Sequence, residues 1–365
     1  MMTSIHPPLL SLIDLKDLSW SQLEALVADL GAEPYRARQV ARWVFKSGVD
    51  HIAAMTDLPK SLRLTLAQHA QLTHLSKPET MQANDGTRKL RFQLSDGAAI
   101  ESVLIREPTR LTLCLSTQAG CRISCAFCLT AKGGLRRHLR TAEIVDQMLQ
   151  ARALLAPNEQ LTNLVFMGMG EPLDNYAHTV QALRIITQPE GVGFSPRRIT
   201  VSTSGVVPAM RRLGAEGLGV NLAVSLNAPT DAIRTLLMPI NKRWPIAELL
   251  AACREYPQPR SRRITFEYVL LQGVNDQPSH AEQLARLLKE LHCKINLIPF
   301  NEFPGGAFHR PSPEVVLRFR EILLNHSLTA TVRESRGREI GAACGQLAER
   351  APLVPFGLDS APTIR

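Results

Sequence analysis

The chain has 365 residues, 45% of them hydrophobic, enough for one large domain and a smaller one around a full core. Its 42 Lys and Arg against 33 acidic residues leave a formal charge of +9, which favours a polyanionic partner. No apolar run is long enough for a helical membrane span, and MMTSIHPPLLSLIDL lacks the basic-then-apolar order of a signal peptide. A cytoplasmic protein with no membrane contact is therefore expected.

Helical spacing of apolar residues predicts helices over 18–31 (LSWSQLEALVADLG), opened by Ser19, and over 34–48 (PYRARQVARWVFKSG). The second carries Arg36, Arg38, Arg42 and Lys46 opposite an apolar face, inside a region, 1–75, that reads as helical. From 86 to 105 the pattern changes to alternation, which predicts a hairpin turning at Ser95-Asp96-Gly97. From 111 onward strands and helices alternate. The strands are expected over 111–117, 161–169, 197–204, 220–227, 263–271, 294–300 and 329–335, with helices such as 141–155 and 278–292 between them. Repeated β–α units of this length point to a parallel sheet, either a full or partial barrel or a doubly wound sheet. The chain thus divides into 1–75, a hairpin extension at 76–106, a core at 107–339 and a C-terminal segment at 340–365. Its tail, APLVPFGLDSAPTIR, is expected to be loose.

Seven cysteines, odd in number and clustered, read as metal ligands or catalytic thiols rather than a disulfide framework. The stretch GCRISCAFCLTAKGG (120–134) holds Cys121, Cys125 and Cys128. A closed zinc site would need a fourth ligand, Cys114, His138 or something remote. A redox dithiol would leave Cys121 without a role, and no His follows Cys128 to attach haem. A 4Fe–4S cluster on three thiolates leaves one iron without a protein ligand. That iron can chelate the amino and carboxylate groups of S-adenosylmethionine, whose reductive cleavage gives methionine and a 5′-deoxyadenosyl radical. The C-x3-C-x2-C spacing with Phe127 before the last cysteine resembles the signature of the radical S-adenosylmethionine superfamily. It follows the first strand of the β–α array, where barrel enzymes place their chemistry.

Several polar groups at strand ends could support such a cofactor. MGMGEP (167–172) ends the second strand, where Gly170 and Glu171 either make a tight turn or meet the cofactor's ammonium group. Ser202, the run Ser225-Leu226-Asn227, and Asn301 end further strands. Each alone is an ordinary turn former; together they form the ring expected around a barrel-bound ligand. Cys253 and Cys293 read as small buried hydrophobes. Cys114, on the strand leading to the cluster loop, and Cys344, in GREIGAACGQL, would by themselves read as structural thiols.

IGAACGQL, MGMGEP, STSGVVP, LMPINKRW, EYVLLQGVND and KINLIPFNEFPG together resemble the dual-specificity 23S rRNA and tRNA adenine-C2 methyltransferase family (RlmN), up to about residue 348. The resemblance implies a partial (βα)6 radical S-adenosylmethionine barrel with a small N-terminal domain similar to helix-hairpin-helix RNA binders. It implies that Cys121, Cys125 and Cys128 hold one 4Fe–4S cluster, and that Gly170, Glu171, Ser202, Ser225, Leu226, Asn227 and Asn301 contact S-adenosylmethionine. Many relatives have His where this chain has Asn227, so a backbone contact is expected there in preference to a side-chain one. The resemblance further implies that Cys344 carries the methyl group, that Cys114 resolves the resulting adduct through a transient disulfide, and that Glu101 accepts a proton. Read without it, Glu101 is a solvated strand charge. Two molecules of S-adenosylmethionine per turnover, 23S rRNA and tRNA as substrates, a flavodoxin- or ferredoxin-type electron donor and a monomeric chain complete the expectation. Methylation at C8 by a sister family is the nearest alternative; a non-enzymatic iron–sulfur RNA-binding redox sensor is another. Basic clusters at Lys132–Arg140 and Arg333–Arg338 are the expected RNA contacts beside the cluster loop and Cys344, with Arg36, Arg38 and Arg42 as a separate RNA-shape reader.

Overall fold

The computed structural model describes residues 12–259 and 261–348. The expected loose tail at 351–365, most of MMTSIHPPLLSLIDL and Arg260 lie outside the described residues.

A two-residue strand β1 (Ile13–Asp14) leads into helix α1 (Trp20–Asp29), opened by Ser19 in a reciprocal cap with Gln22. Helix α2 (Tyr35–Ala41) continues as a π-turn (Arg42–Ser47) that ends at Gly48 in a left-handed conformation. Helix α3 (Lys60–His69) runs into β2 (Ala70–Gln71), which pairs with β1 and closes the N-terminal region on itself. Ala37, Val40, Ala41 and Val44 are buried, so the basic residues of α2 do stand opposite an apolar face. That face is continuous with the core of the main sheet.

The main sheet has ten strands. β3 (Glu79–Gln82), β4 (Arg88–Gln93) and β5 (Ala99–Glu107) form an antiparallel meander, and β5 pairs antiparallel with β6 (Arg110–Cys114). The expected hairpin therefore forms, with Asp96 accepting the Ala98 N–H at its turn, and it continues the same sheet.

From β6 every neighbour is parallel: β9 (Asn163–Phe166), β10 (Ile199–Thr203), β11 (Asn221–Ser225), β12 (Ile264–Leu270), β13 (Cys293–Pro299) and β14 (Ala330–Val332). Helices α5 (Thr141–Ala153), α6 (Tyr176–Thr187), α7 (Val207–Ala215), α8 (Asp231–Leu237), α9 (Ile246–Glu255), α10 (Pro278–Leu288) and α11 (Pro313–Asn325) make the crossovers. β14 and β3 are the two edges. The array is an open, partial barrel, which decides between the arrangements the periodicity left possible.

Two details differ from expectation. The strands stop earlier than their apolar runs, β6 at Cys114 and β9 at Phe166. A separate ribbon, β7 (Gln118–Gly120) against β8 (Leu135–His138), flanks a short helix α4 (Leu129–Lys132) and was not anticipated. Helix α5 is buried almost all round, and its polar residues are paired. Asp146 meets Lys16 at 2.5 Å, Gln147 meets Ser102 and Ser116, and Glu143 meets Arg137. The Lys16–Asp146 pair anchors the N-terminal region to the barrel.

Candidate active site at the strand ends

The ribbon of β7 and β8 exists to hold one loop. Gly120, at φ +78°, packs so closely on the Gly134 carbonyl that an added Cβ would lie 1.9 Å from its oxygen. The Cys121 N–H donates to that same carbonyl at 2.8 Å. Cys125 and Cys128 follow in a turn closed by Cys128 N–H to Cys125 O, while the Ala126 N–H reaches Leu237 O. Phe127 joins Leu237, Met238, Leu271, Phe300 and Phe303 in an apolar cluster behind the loop. All three thiols are free and open onto one cavity at the C-terminal ends of the strands. Burial pushes them up, Cys121 to about 12, with nearby thiols adding to the rise and backbone donors opposing it at Cys121 and Cys128.

The wall formed by β9 to β11 carries Gly170, Glu171, Ser202, Ser225 and Asn227, all facing the cavity. Glu171 is buried and tightly held. Leu173 N–H donates to Oε1, and the Ser204 N–H and hydroxyl both donate to Oε2 at 2.7 Å. Burial raises its pKa and these donors oppose the rise. Its own N–H donates to Gln118 Oε1, which couples this wall to the ribbon. Gly170 stands at φ +100° with the Gln118 Cβ 2.5 Å from where a Cβ would be, so only glycine fits. Arg234, fully buried, donates to the carbonyls of Ser204, Ser225 and Leu226 and to Asn241 Oδ1.

Leu226 and Asn227 behave differently from their neighbours. The Leu226 side chain is in the core and does not line the cavity; its N–H donates to Glu267 O. Asn227 adopts φ +58°, a conformation that Asn tolerates better than most residues. Its Oδ1 accepts the Val269 N–H at 2.8 Å and its Nδ2 faces Met238 Sδ, so the side chain is engaged within the chain.

The opposite wall contains Glu267, Asn301, Arg333 and Cys344. Asn301 donates to Ser335 Oγ and to the Cys344 carbonyl, and its Oδ1 has no hydrogen-bond partner among the described residues. Cys344 is half-buried on a segment stitched to the cluster loop: Leu129 N–H donates to Gly345 O at 2.7 Å and Thr130 Oγ1 to Leu347 O at 2.6 Å. Cys114 lies at the end of β6, behind the lining, within electrostatic reach of Cys344 and Arg333. Burial and Cys344 push its thiol up to about 12, against the pull of Arg333. Arg333 is raised chiefly by Cys344, with Glu267 and Cys114 adding to it. Glu101 is not a solvated strand charge. It is fully buried, its carboxylate 3.2 Å from Lys89 Nζ and accepting the Ala348 N–H at 3.1 Å. Burial raises its pKa and Lys89 lowers it.

The relatives follow from this geometry. A family model for the N-terminal domain of ribosomal RNA large subunit methyltransferases matches residues 13–72, and one for the radical SAM superfamily matches 115–288. A dual-specificity RNA methyltransferase RlmN of Syntrophus aciditrophicus is 49% identical over 93% of this chain and 97% of its own. One from Anaeromyxobacter dehalogenans is 52% identical over 92% of this chain and 91% of its own. The chain belongs to the RlmN family of radical S-adenosylmethionine RNA methyltransferases. A crystal structure of a radical SAM methyltransferase from Sphaerobacter thermophilus superposes with a TM-score of 0.87 at 49% identity, covering 92% of this chain and 99% of that one. The fold is thus the radical SAM fold with an RlmN N-terminal domain.

Membership of the RlmN family brings a 4Fe–4S cluster and S-adenosylmethionine as cofactors. The residues present fit them: three free thiols in one apolar-backed loop, and an orphaned acceptor, Asn301 Oδ1, across the cavity. Among the described residues no helix is long and apolar enough to cross a membrane.

The basic cluster at Lys132–Arg140, expected as an RNA contact, is also engaged within the chain. Arg137 clasps Glu143 with two bonds of 2.8 Å and also holds Asp96; Arg136 donates to Asp96 O; Arg140 reaches Asp17 and Thr73; Lys132 donates to Gly305 O. These cations join the ribbon to its surroundings. Lys46 likewise donates to Val192 O. Sequence reasoning also missed Arg234, Gln118, Lys89 and Glu267. Only a basic or polar residue inside an otherwise apolar periodic stretch, as at Arg234 and Glu267, could have drawn attention to any of them.

Proposed function

We propose that this chain methylates C2 of an adenosine in the peptidyl transferase centre of 23S rRNA, and of an adenosine next to the anticodon in tRNA, by way of a methyl group carried on Cys344. The observation that most supports this reading is the opening of Cys344 onto the cavity that the three-thiol loop lines, with Cys114 and Arg333 beside it. C2 of adenine lies between two ring nitrogens and is too electron-poor to attack a methyl sulfonium as an ordinary nucleophile. A carbon radical can add to it. Cys121, Cys125 and Cys128 would hold the cluster, with S-adenosylmethionine between them and the walls carrying Gly170, Glu171, Ser202, Ser225, Leu226, Asn227 and Asn301. When bound, these cofactors supply one-electron cleavage of a sulfonium and with it the removal of a hydrogen atom.

The chain's own groups do the rest. The Cys344 thiolate displaces a methyl group from one S-adenosylmethionine, forming an S–CH3 bond as the sulfonium bond breaks. After loss of one hydrogen atom, that carbon bonds to C2 and joins Cys344 to the RNA. Glu101 takes the C2 proton, and the one electron then left over on the ring would pass to the oxidised cluster, leaving a closed-shell adduct. Ala348 occupies Glu101 Oε2 and Glu101 lies outside the cavity lining, so the 344–348 segment must shift for this step. Cys114 then attacks the Cys344 sulfur: the S–S bond forms, the S–CH2 bond breaks, and the released carbon takes a proton to become the product methyl. Both thiols are free in the structure, and an external thiol reductant returns them to that state. A flavodoxin- or ferredoxin-type donor would supply the electron to the cluster.

The test is anaerobic reconstitution with S-adenosylmethionine, reductant and transcribed RNA fragments, followed by nucleoside mass spectrometry. The expected product is 2-methyladenosine in both RNAs. Cys344→Ala is expected to carry no methyl group and form no adduct, whereas Cys114→Ala accumulates a covalent protein–RNA species. Formation of 8-methyladenosine, or normal turnover by Cys114→Ala, overturns the reading.

A further inference from the structure

Glu267 lies in β12, in register with Ser225 of β11 and Asn296 of β13, and its side chain faces the cavity while being only 5% exposed. Its carbonyl accepts the Leu226 N–H at 3.1 Å, so the strand holds it in place. The two carboxylate oxygens are not equivalent. Oε1 accepts from Asn296 Nδ2 at 3.0 Å; Oε2 is buried and has no hydrogen-bond partner among the described residues. Burial raises the Glu267 pKa, and nearby Arg333 and the Asn296 hydrogen bond oppose the rise. A buried carboxylate oxygen left without a donor is costly, and such atoms in native proteins are normally satisfied by a ligand or water.

We propose that Glu267 Oε2 accepts a hydrogen bond from an amine or hydroxyl of an adenosine bound in this cavity. The inference rests on the methyltransferase reading, in which two adenosines enter the site, one belonging to the cofactor and one to the target RNA. A carboxylate can only accept, so the group facing it must be N–H or O–H. The 6-amino group of adenine meets that need; the 6-oxo group of guanine or hypoxanthine would present an oxygen to an oxygen. Glu267 is thereby a binding residue, and where its donor is the 6-amino group of the target it also selects for the base.

The experiment uses cluster-loaded full-length protein with Glu267→Gln and Glu267→Ala, both checked for folding by thermal denaturation. Equilibrium binding of S-adenosylmethionine is measured first. Single turnover is then followed on RNA fragments carrying adenosine or purine riboside, which lacks the 6-amino group, at the target position. If the donor belongs to the cofactor, Glu267→Ala raises the Kd for S-adenosylmethionine at least tenfold and leaves the RNA dependence unchanged. If it belongs to the target base, the Kd is unchanged, turnover on adenosine falls at least tenfold, and the parent's preference for adenosine over purine riboside collapses. Either result supports the proposal and names the source of the donor. Folded variants with parental Kd, turnover and base preference would overturn it. A failed methyltransferase reading appears separately, as absence of methylated RNA from the parent, and the cofactor-binding arm still decides the role of Glu267.

Discussion

The two walls of the cavity are built on opposite principles. On the side of β9 to β11, every polar group of Glu171 has a partner within the chain, and Arg234 ties three strand-end carbonyls together. On the side of β12 to β14, Asn301 Oδ1 and Glu267 Oε2 have no partner among the described residues, and Arg333 feels the charge of a carboxylate and two thiols. The first wall is rigid before any ligand arrives. The second keeps two acceptors without partners among the described residues and the Cys344 thiol facing the cavity. Preorganisation is thus concentrated on β9 to β11, and open acceptors on β12 and the strands that follow.

If that division holds, substitutions on the second wall should remove function and spare the fold, with the reverse on the first. The largest expected effect is Cys344→Ala: methylated RNA falls to background while unfolding free energy changes by no more than about 1 kcal/mol. Denaturant titration and nucleoside analysis on one preparation check both halves. Next comes Arg234→Met, which leaves the carbonyls of Ser204, Ser225 and Leu226 without their donor. A loss of about 3 kcal/mol or more in chemical denaturation is expected, and a loss under about 1 would break the comparison. Asn227→Ala stands at the border of the walls. It removes the acceptor for the Val269 N–H and strains a residue at φ +58°, for about 2 kcal/mol; Asn227→Gly should recover part of this by relieving the strain.

The smallest effect is graded and concerns pH. Attack by Cys114 needs its thiolate, and burial holds that thiol up at about 12. Below that value the thiolate fraction rises with pH, so decay of the protein–RNA adduct should quicken about tenfold per pH unit between 7 and 9. Stopped-time gels of the adduct measure this; a flat profile would mean that Cys114 is not the attacking group.

The β–α alternation and the C-x3-C-x2-C loop were legible because both are local. Apolar periodicity marks a strand or helix over a few residues, and three thiols within eight positions must share a turn. Ser202, Ser225 and Asn301 were legible for a related reason: polar residues ending apolar strands lie at one rim of a parallel sheet. Asn227 was half legible. Its position on the rim followed from the pattern, while the engagement of its side chain by Val269 and Met238 came from elements 42 and 11 residues away. The partners of the cluster at Lys132–Arg140 were not legible, because charge in a sequence carries no record of what it will pair with. Asp96, Glu143, Asp17 and Thr73, which bind its arginines, are dispersed along the chain.

By itself, then, the order of residues determined the radical SAM loop, the parallel array and the rim, since each depends on spacing along a few turns or strands. Tertiary structure alone decided that Glu101 would be buried against Lys89, that Arg234 would brace one wall, and that Glu267 would keep an oxygen open in the other. The reason is that hydrogen-bond satisfaction and burial are properties of neighbours in space. A buried charge is defined by the groups packed round it, and those come from strands and helices that the chain reaches only after folding.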